Sequence, residues 1–283
     1  MNKKELVCKL IKYIDEHMET AINLSVLAEY TGFSSRYIQI LFNNYVGMPL
    51  GLYIRKRRIM RAATLLRLTN TPIIDIAYLL QFDSQQTFTR EFKKNSGLTP
   101  LAYRKNKVWH LELYKTNAHQ MCKKPLPPRV CTMPGGFITG HQIGYDEPVP
   151  SPRIISEYRW ESILYFKHKK KKNVWLLTEF TPSNRSFMAM NVCTALGVMP
   201  DEHDTERAKY FYPAGLYALF NFKGTLDGYH EYIKNIYYKV LPHWGYNRQS
   251  GPDVECFHFD DGMDDDYINC DIHIPVIDSS LKK

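Results

Sequence analysis

The chain has 283 residues, enough for two domains each with its own core, and a formal net charge of +8. Residues 1–107 hold 17 Lys and Arg against 8 Asp and Glu, a net of +9, while the remainder nets −1, so a phosphate-attracting surface is expected on the first part only. The six cysteines (Cys8, Cys122, Cys131, Cys193, Cys256, Cys270) lack C-x-x-C spacing, no hydrophobic signal core follows Met1, and no apolar run approaches ~18 residues, which argues against zinc fingers, dithiol chemistry, secretion and a membrane span.

From the amino terminus, Leu6, Leu10, Ile14 and Met18 recur every fourth residue with Val7 and Ile11 beside them, the pattern of an amphipathic first helix. Residues 24–30 form the next helix, and Thr31-Gly32-Phe33 the turn after it. Ser34 or Ser35 can cap a third helix that runs to about Val46, where Gly47 stops it. Leu50–Leu68 is the longest helical segment of this half and offers Leu52, Ile59, Ala62, Leu65 and Leu66 to a core. Its Arg55, Lys56, Arg57, Arg58 and Arg61 suit either phosphate contacts or a solvated charged face. Thr71-Pro72 then opens a second unit with Pro in the first turn.

An internal repeat organises this half. Leu27-Ala28 recurs as Ile76-Ala77, and Phe33-Ser34-Ser35 as Phe82-Asp83-Ser84, 49 residues later. After one inserted residue the offset is 50, pairing Phe42 with Phe92, Gly47 with Gly97, Met48 with Leu98 and Tyr53 with Tyr103. Each copy has a short helix, a tight turn, a second helix, a glycine stop and a following helix. That is the order of a helix-turn-helix, whose second helix enters the major groove. In the second copy this helix carries Phe88 and Phe92 on one face and Gln85, Gln86, Thr89 and Arg90 on the other. Gln and Arg make paired hydrogen bonds to adenine and guanine edges, whereas a plain surface helix would show Glu and Lys. Two copies in one chain place two recognition helices on one DNA face without dimerisation.

Leu65 with Arg67-Leu68-Thr69, Pro72-Ile73-Ile74-Asp75-Ile76-Ala77 and Phe82-Asp83-Ser84-Gln85-Gln86-Thr87-Phe88-Thr89-Arg90 resemble the AraC/XylS transcription activators. Within them the resemblance is to the Rob-like members of the MarA/SoxS/Rob group and covers about residues 5–107. It implies an all-α DNA-binding domain over 1–107 that acts as a monomer on an asymmetric site, with RNA polymerase as a partner, in a stress or drug response. Carried over residue by residue, Gln85, Gln86, Thr89 and Arg90 form the second recognition helix, with Thr87 near the DNA backbone. Arg36, Gln39 and Ile40 form the first. There the chain departs from the group, which usually has Trp where Arg36 stands and Arg where Ile40 stands. An apolar Ile40 offers at most a thymine-methyl contact.

Residues 108–128 are expected to be a linker ending in the stiff Pro125-Leu126-Pro127-Pro128. Beyond it, β-prone runs fall at 130–133, 137–143, 174–180, 187–193, 216–222, 254–259 and 267–276. Helical segments fall at 154–166 and 226–241, the second striped by Tyr229, Ile233, Ile236, Tyr237 and Val240. This mixture indicates an α+β domain over 129–283, its helices packed on an antiparallel sheet.

Gly251-Pro252-Asp253-Val254-Glu255-Cys256-Phe257, Asn269-Cys270-Asp271-Ile272-His273-Ile274-Pro275-Val276 and Tyr217-Ala218-Leu219-Phe220-Asn221-Phe222-Lys223-Gly224 resemble the GyrI-like effector-binding domain, over about 129–277. The resemblance implies two tandem strand-helix-strand pseudo-repeats around an aromatic cavity, with a carboxylate that meets cationic, hydrophobic ligands. Glu255 and Asp271 are the acidic candidates, and Trp160, Trp175, Tyr165 and Phe180 the cavity aromatics. Each aromatic also suits a plain core position, and each carboxylate a solvent-facing one. The charged runs 168–172 and 260–266 suit solvated turns, the acidic one lacking the terminal Glu of an EF-hand loop. No Ser-His-Asp or Cys-His constellation has a recognisable spacing, so an enzyme is not expected. A protein-interaction module or an adduct-hydrolysing one is the alternative reading of this half. The expected protein is a cytoplasmic, multidomain activator without cofactor, metal or membrane association. Its expected partners are double-stranded DNA, RNA polymerase and a small amphipathic effector.

Overall fold

The computed structural model describes residues 2–115, 125–149, 157–169, 173–200, 208–259 and 264–278. The chain divides into two compact units. One comprises Met1–Arg67, Thr71–Asn106 and Leu113–Lys124, the other Leu68–Asn70, Lys107–Glu112 and Pro125–Lys283.

The first unit is built from α1 (Lys3–Glu16), α2 (Leu24–Thr31), α3 (Ser35–Val46), α4 (Leu50–Leu68), α5 (Ile73–Leu79), α6 (Gln85–Ser96) and α7 (Pro100–Lys105). Leu6, Val7, Leu10 and Ile14 share a core with Leu27, Ile38, Phe42 and Tyr53. The repeat survives as packing: Phe42 meets Tyr53 edge-on at 5.1 Å, and Phe92 meets Tyr103 edge-on at 5.2 Å. Two expectations fail here. Met18 lies beyond α1, which His17 ends, and contributes its carbonyl to Arg58 instead. Leu52 is exposed, because Leu50, Tyr53 and Ile54 occupy the inward stripe of α4.

The basic run of α4 is largely structural. Arg57 pairs with Asp15 at 2.7 Å and Arg61 with Glu19 at 2.8 Å, while Arg58 donates to the Met18 and Thr20 carbonyls at 3.3 and 2.9 Å. Three of the five cations thus fasten the end of α1 and the segment that joins it to α2.

The two helix-turn-helix turns are related but unequal. Gly32 ends α2 in the left-handed region (φ 73°), and Gln81 answers it after α5 (φ 60°). A Cβ costs roughly 1–2 kcal/mol there. Gln81 recovers part of that through its side-chain amide, which donates to the Glu19 carbonyl at 3.1 Å. Ser34 and Ser84 then cap α3 and α6, accepting from the Tyr37 and Thr87 N–H groups at 3.3 and 3.2 Å. Phe33 alone separates Gly32 from its cap, whereas Phe82 and Asp83 separate Gln81 from its own, so Asp83 is the insertion that changes the repeat offset.

The second unit is one antiparallel sheet with helices. Its strands are β1 (Arg129–Met133), β2 (Gly136–Pro148), β3 (Asn173–Pro182), β4 (Ala189–Val198), β5 (Ala208–Tyr212), β6 (Gly215–Thr225), β7 (Tyr246–Arg248), β8 (Asp253–His258) and β9 (Tyr267–Asp278). They run in the order β1-β6-β9-β8-β3-β4-β2-β5, with β7 beside β9. That order is symmetric once β1, β2, β3 and β4 are matched to β5, β6, β8 and β9, which is the expected pair of pseudo-repeats. Each has its helix after its second strand: α8 (Glu157–His168) follows β2, and α9 (Leu226–Asn235) follows β6 and continues through a π turn at Ile236–Val240.

β5 and β7 match no expected run, being a short edge strand and a three-residue strand in which alternation hardly registers. β4 starts at Ala189, later than the run at 187–193 suggests. Ser183 Oγ accepts from the Arg185 and Ser186 N–H groups at 2.9 and 3.2 Å, which holds the chain in a turn and leaves Phe187 exposed.

Residues 116–124 and 154–156 lie outside the described residues, as do parts of the charged runs at 168–172 and 260–266. Beside those runs Lys167 pairs with Asp265 at 2.6 Å. Within 108–128, Trp109 exchanges both backbone hydrogen bonds with Arg248, and Leu111–Tyr114 forms a 3-10 turn. Among the described residues no helix is long and apolar enough to cross a membrane.

Candidate nucleic-acid interface and ligand core

The caps Ser34 and Ser84 set a common register for the two recognition helices. Counting from each cap, Arg36 corresponds to Gln86, Tyr37 to Thr87, Ile38 to Phe88, Gln39 to Thr89, Ile40 to Arg90 and Phe42 to Phe92. Ile38, Phe42, Phe88 and Phe92 are buried, so helical periodicity turns the second, fifth and sixth positions outward. Gln85, Gln86 and Arg90 are exposed on α6, and Thr89 is half-buried. Thr87 is drawn into the cap, its hydroxyl 3.1 Å from Ser84 Oγ. On α3, Arg36, Gln39 and Ile40 are all exposed. The side chains of Arg36 and Arg90 form no ion pair or hydrogen bond with another described residue, in contrast to Arg57, Arg58 and Arg61.

In the second unit Glu255 of β8 is buried and accepts from the Arg159 guanidinium of α8 and the Tyr229 hydroxyl of α9. Arg159 also donates to Thr178 Oγ1 at 3.2 Å, and Thr178 meets Thr194 at 3.2 Å. Burial opposes the charge on Arg159, but Glu255, then Tyr229 and Tyr145, outweigh it and hold the guanidinium above its ordinary value. Burial, then Glu255, push the Tyr229 hydroxyl well above its usual range, so it stays a donor. Tyr145, close enough to act on Arg159, has a buried hydroxyl with no hydrogen-bond partner among the described residues. Phe257 closes the cluster, 6.1 Å from Trp160 and 6.0 Å from Tyr229.

Comparison with known proteins agrees with both halves. Residues 27–106 match a helix-turn-helix domain model, and residues 160–277 match that of the GyrI-like small molecule binding domain. The F1 operon positive regulatory protein of Yersinia pestis is 39% identical over 285 residues, covering 98% of this chain and 89% of that protein. The chain belongs to the AraC/XylS family of transcription regulators. Transcriptional regulator Rob of Salmonella typhimurium is 29% identical over 91% of this chain and 92% of its own. Regulatory protein SoxS of the same organism is 42% identical over 37% of this chain and 97% of its own. This AraC/XylS chain is therefore a DNA-binding regulator of the MarA/SoxS/Rob group that carries a GyrI-like domain after its helix-turn-helix region.

The ligand residues expected in this AraC/XylS protein do not converge on one spot. Asp271 and Trp175 both pair with Cys256, whereas Glu255 pairs with Ile272 and Leu176. Paired residues share a face and successive residues alternate, so Asp271 and Trp175 lie on the face opposite Glu255. Asp271 is instead held by His258 Nε2 at 3.0 Å and by the Asn221 amide. Trp160 does join the Glu255 cluster through Phe257, and Phe180 has the strand parity of Thr178, hence the Glu255 face. Tyr165 is exposed, edge-on to Phe166. Sequence reasoning missed Arg159 and Tyr145 altogether. An arginine on a helix reads as surface, and nothing local marks a partner 96 residues away.

Proposed function

We propose that this protein is a monomeric, two-headed activator in which α3 and α6 each enter the major groove of an asymmetric DNA site, with RNA polymerase as its partner at the promoter. Arg36, Gln39 and Ile40 form one head, and Gln85, Gln86, Thr89 and Arg90 the other. The observation that carries this reading is the division of the arginines. Those of α4 are engaged in intramolecular pairs, while Arg36 and Arg90, at outward positions of capped second helices, are left for a ligand. If ~6 phosphates are contacted, log K should fall with log[salt] at a slope of roughly −5 for the full chain. A flat salt response, or binding only as a dimer, refutes the proposal.

The second unit is proposed to hold a small amphipathic effector beside the Arg159–Glu255–Tyr229 cluster. Because Arg159 already neutralises Glu255, ring contacts and a hydrogen bond to the Tyr145 hydroxyl support recognition without a net charge on the effector. A hydrophobic cation and its uncharged isostere should then stabilise the unit equally, by ~2.7 kcal/mol at a hundredfold excess over Kd, and raise its melting temperature to the same extent. A response to the cation alone refutes this.

Catalysis finds little support on the opposite face. Cys256 Sγ lies 3.8 Å from His258 Nδ1, and His258 Nε2 lies 3.0 Å from Asp271, the layout of nucleophile, base and orienting group. Burial, then Asp271, push the Cys256 thiol up to about 12, so little thiolate is available at neutral pH.

A further inference from the structure

The two heads differ most where the common register puts Ile40 opposite Arg90. Ile40 is 53% exposed at a position that helical geometry aims outward. One turn earlier, Tyr37 is 36% exposed and stacks on Phe33 at 5.2 Å. Phe33 is itself 39% exposed, whereas its repeat partner Phe82 is only 8% exposed and packs on Phe88. The turn and the outer face of α3 therefore carry an apolar strip, Phe33–Tyr37–Ile40, flanked by the polar Arg36 and Gln39, where α6 presents Arg90.

Resting on the reading that α3 enters the groove, we infer that Ile40 is a specificity-determining residue that recognises thymine through its 5-methyl group, backed by Tyr37. The 5-methyl of thymine is the apolar group that unmodified DNA offers in the major groove. Arg36, without a partner among the described residues, supplies charge and hydrogen-bond donors for a neighbouring phosphate or guanine. The two heads thus divide the chemistry of the site. The α6 head reads hydrogen-bonding edges through Gln86 and Arg90, and the α3 head reads a methyl group, so the two half-sites differ in base composition and the bound orientation is fixed.

The test begins by selecting binding sites for the full chain from a random duplex library. The α6 half-site is located as the positions relaxed by Arg90→Ala. Each thymine of the other half is then replaced singly by deoxyuridine, which removes only the methyl. At one thymine the wild-type protein should lose about fourfold in affinity, the factor expected for one buried methyl-sized group. Ile40→Ala, at an exposed position, should bind thymine and uracil there equally. Ile40→Arg should shift the preferred base at that step to guanine. Tolerance of uracil at every thymine in this half-site would overturn the inference, as would a thymine–uracil difference that persists in Ile40→Ala. Failure to select any specific site would sink the two-headed reading itself. A specific site indifferent to uracil would sink the methyl contact alone.

Discussion

Glu255→Gln leaves the Arg159 guanidinium without its counter-charge in a place where the two side chains are 2% and 5% exposed. Breaking a buried ion pair by removing one partner costs about 3–5 kcal/mol, because the remaining charge stays desolvated. For a unit of this size each kcal/mol moves Tm by about 2–4 °C, so a fall of roughly 6–20 °C is expected. Arg159→Met should cost a similar amount, since among the described residues Glu255 then keeps the Tyr229 hydroxyl alone as its partner. The double variant should recover to within about 2 kcal/mol of wild type, because no buried charge remains. The assay is simple. All four tryptophans, Trp109, Trp160, Trp175 and Trp244, belong to the second unit, so tryptophan fluorescence during denaturation reports on that unit by itself. Arg159→Met should also change ligand preference, since the freed carboxylate now gains from a hydrophobic cation and not from its uncharged isostere. Single variants that each cost less than about 1 kcal/mol, or a double variant that costs their sum, would refute the view that Arg159 and Glu255 form one neutral unit.

On α6, Arg90→Ala should cost about 1–3 kcal/mol of DNA binding and relax one position of the site, as read by titration against single-base variants. Arg61→Ala should lower the stability of the first unit by about 1 kcal/mol, its partner Glu19 being part-exposed, while the salt slope of DNA binding stays unchanged. A shallower slope would return Arg61 to the phosphate-contacting set. Burial, above all, holds His273 below its ordinary value, so the folded state favours the neutral ring and the unfolded chain takes up the proton first. Stability of the second unit should therefore fall as pH drops from about 6.5 toward the folded value, and His273→Gln should flatten that slope in tryptophan-detected unfolding at pH 7.5 and 5.5.

The helical half was legible because its signals are local. Every fourth-residue periodicity, the capping serines and the glycine stops act within one or two turns, and the repeat supplies each signal twice. The alternation of strands and helices likewise announced an α+β sheet domain, with only short strands such as β5 and β7 escaping notice. What only the tertiary structure decided are matters of partner and face. Whether Arg57 or Arg61 meets a phosphate or a carboxylate depends on Asp15 and Glu19, some forty residues away, arriving beside α4. Glu255 and Asp271 look interchangeable as acidic residues on strands, yet the β8–β9 register sends them to opposite sides of the sheet, since side chains alternate at every residue. Arg159 becomes the counter-charge of Glu255 only because α8 folds back over β3 and β8, a long-range closure that no local pattern in the chain encodes.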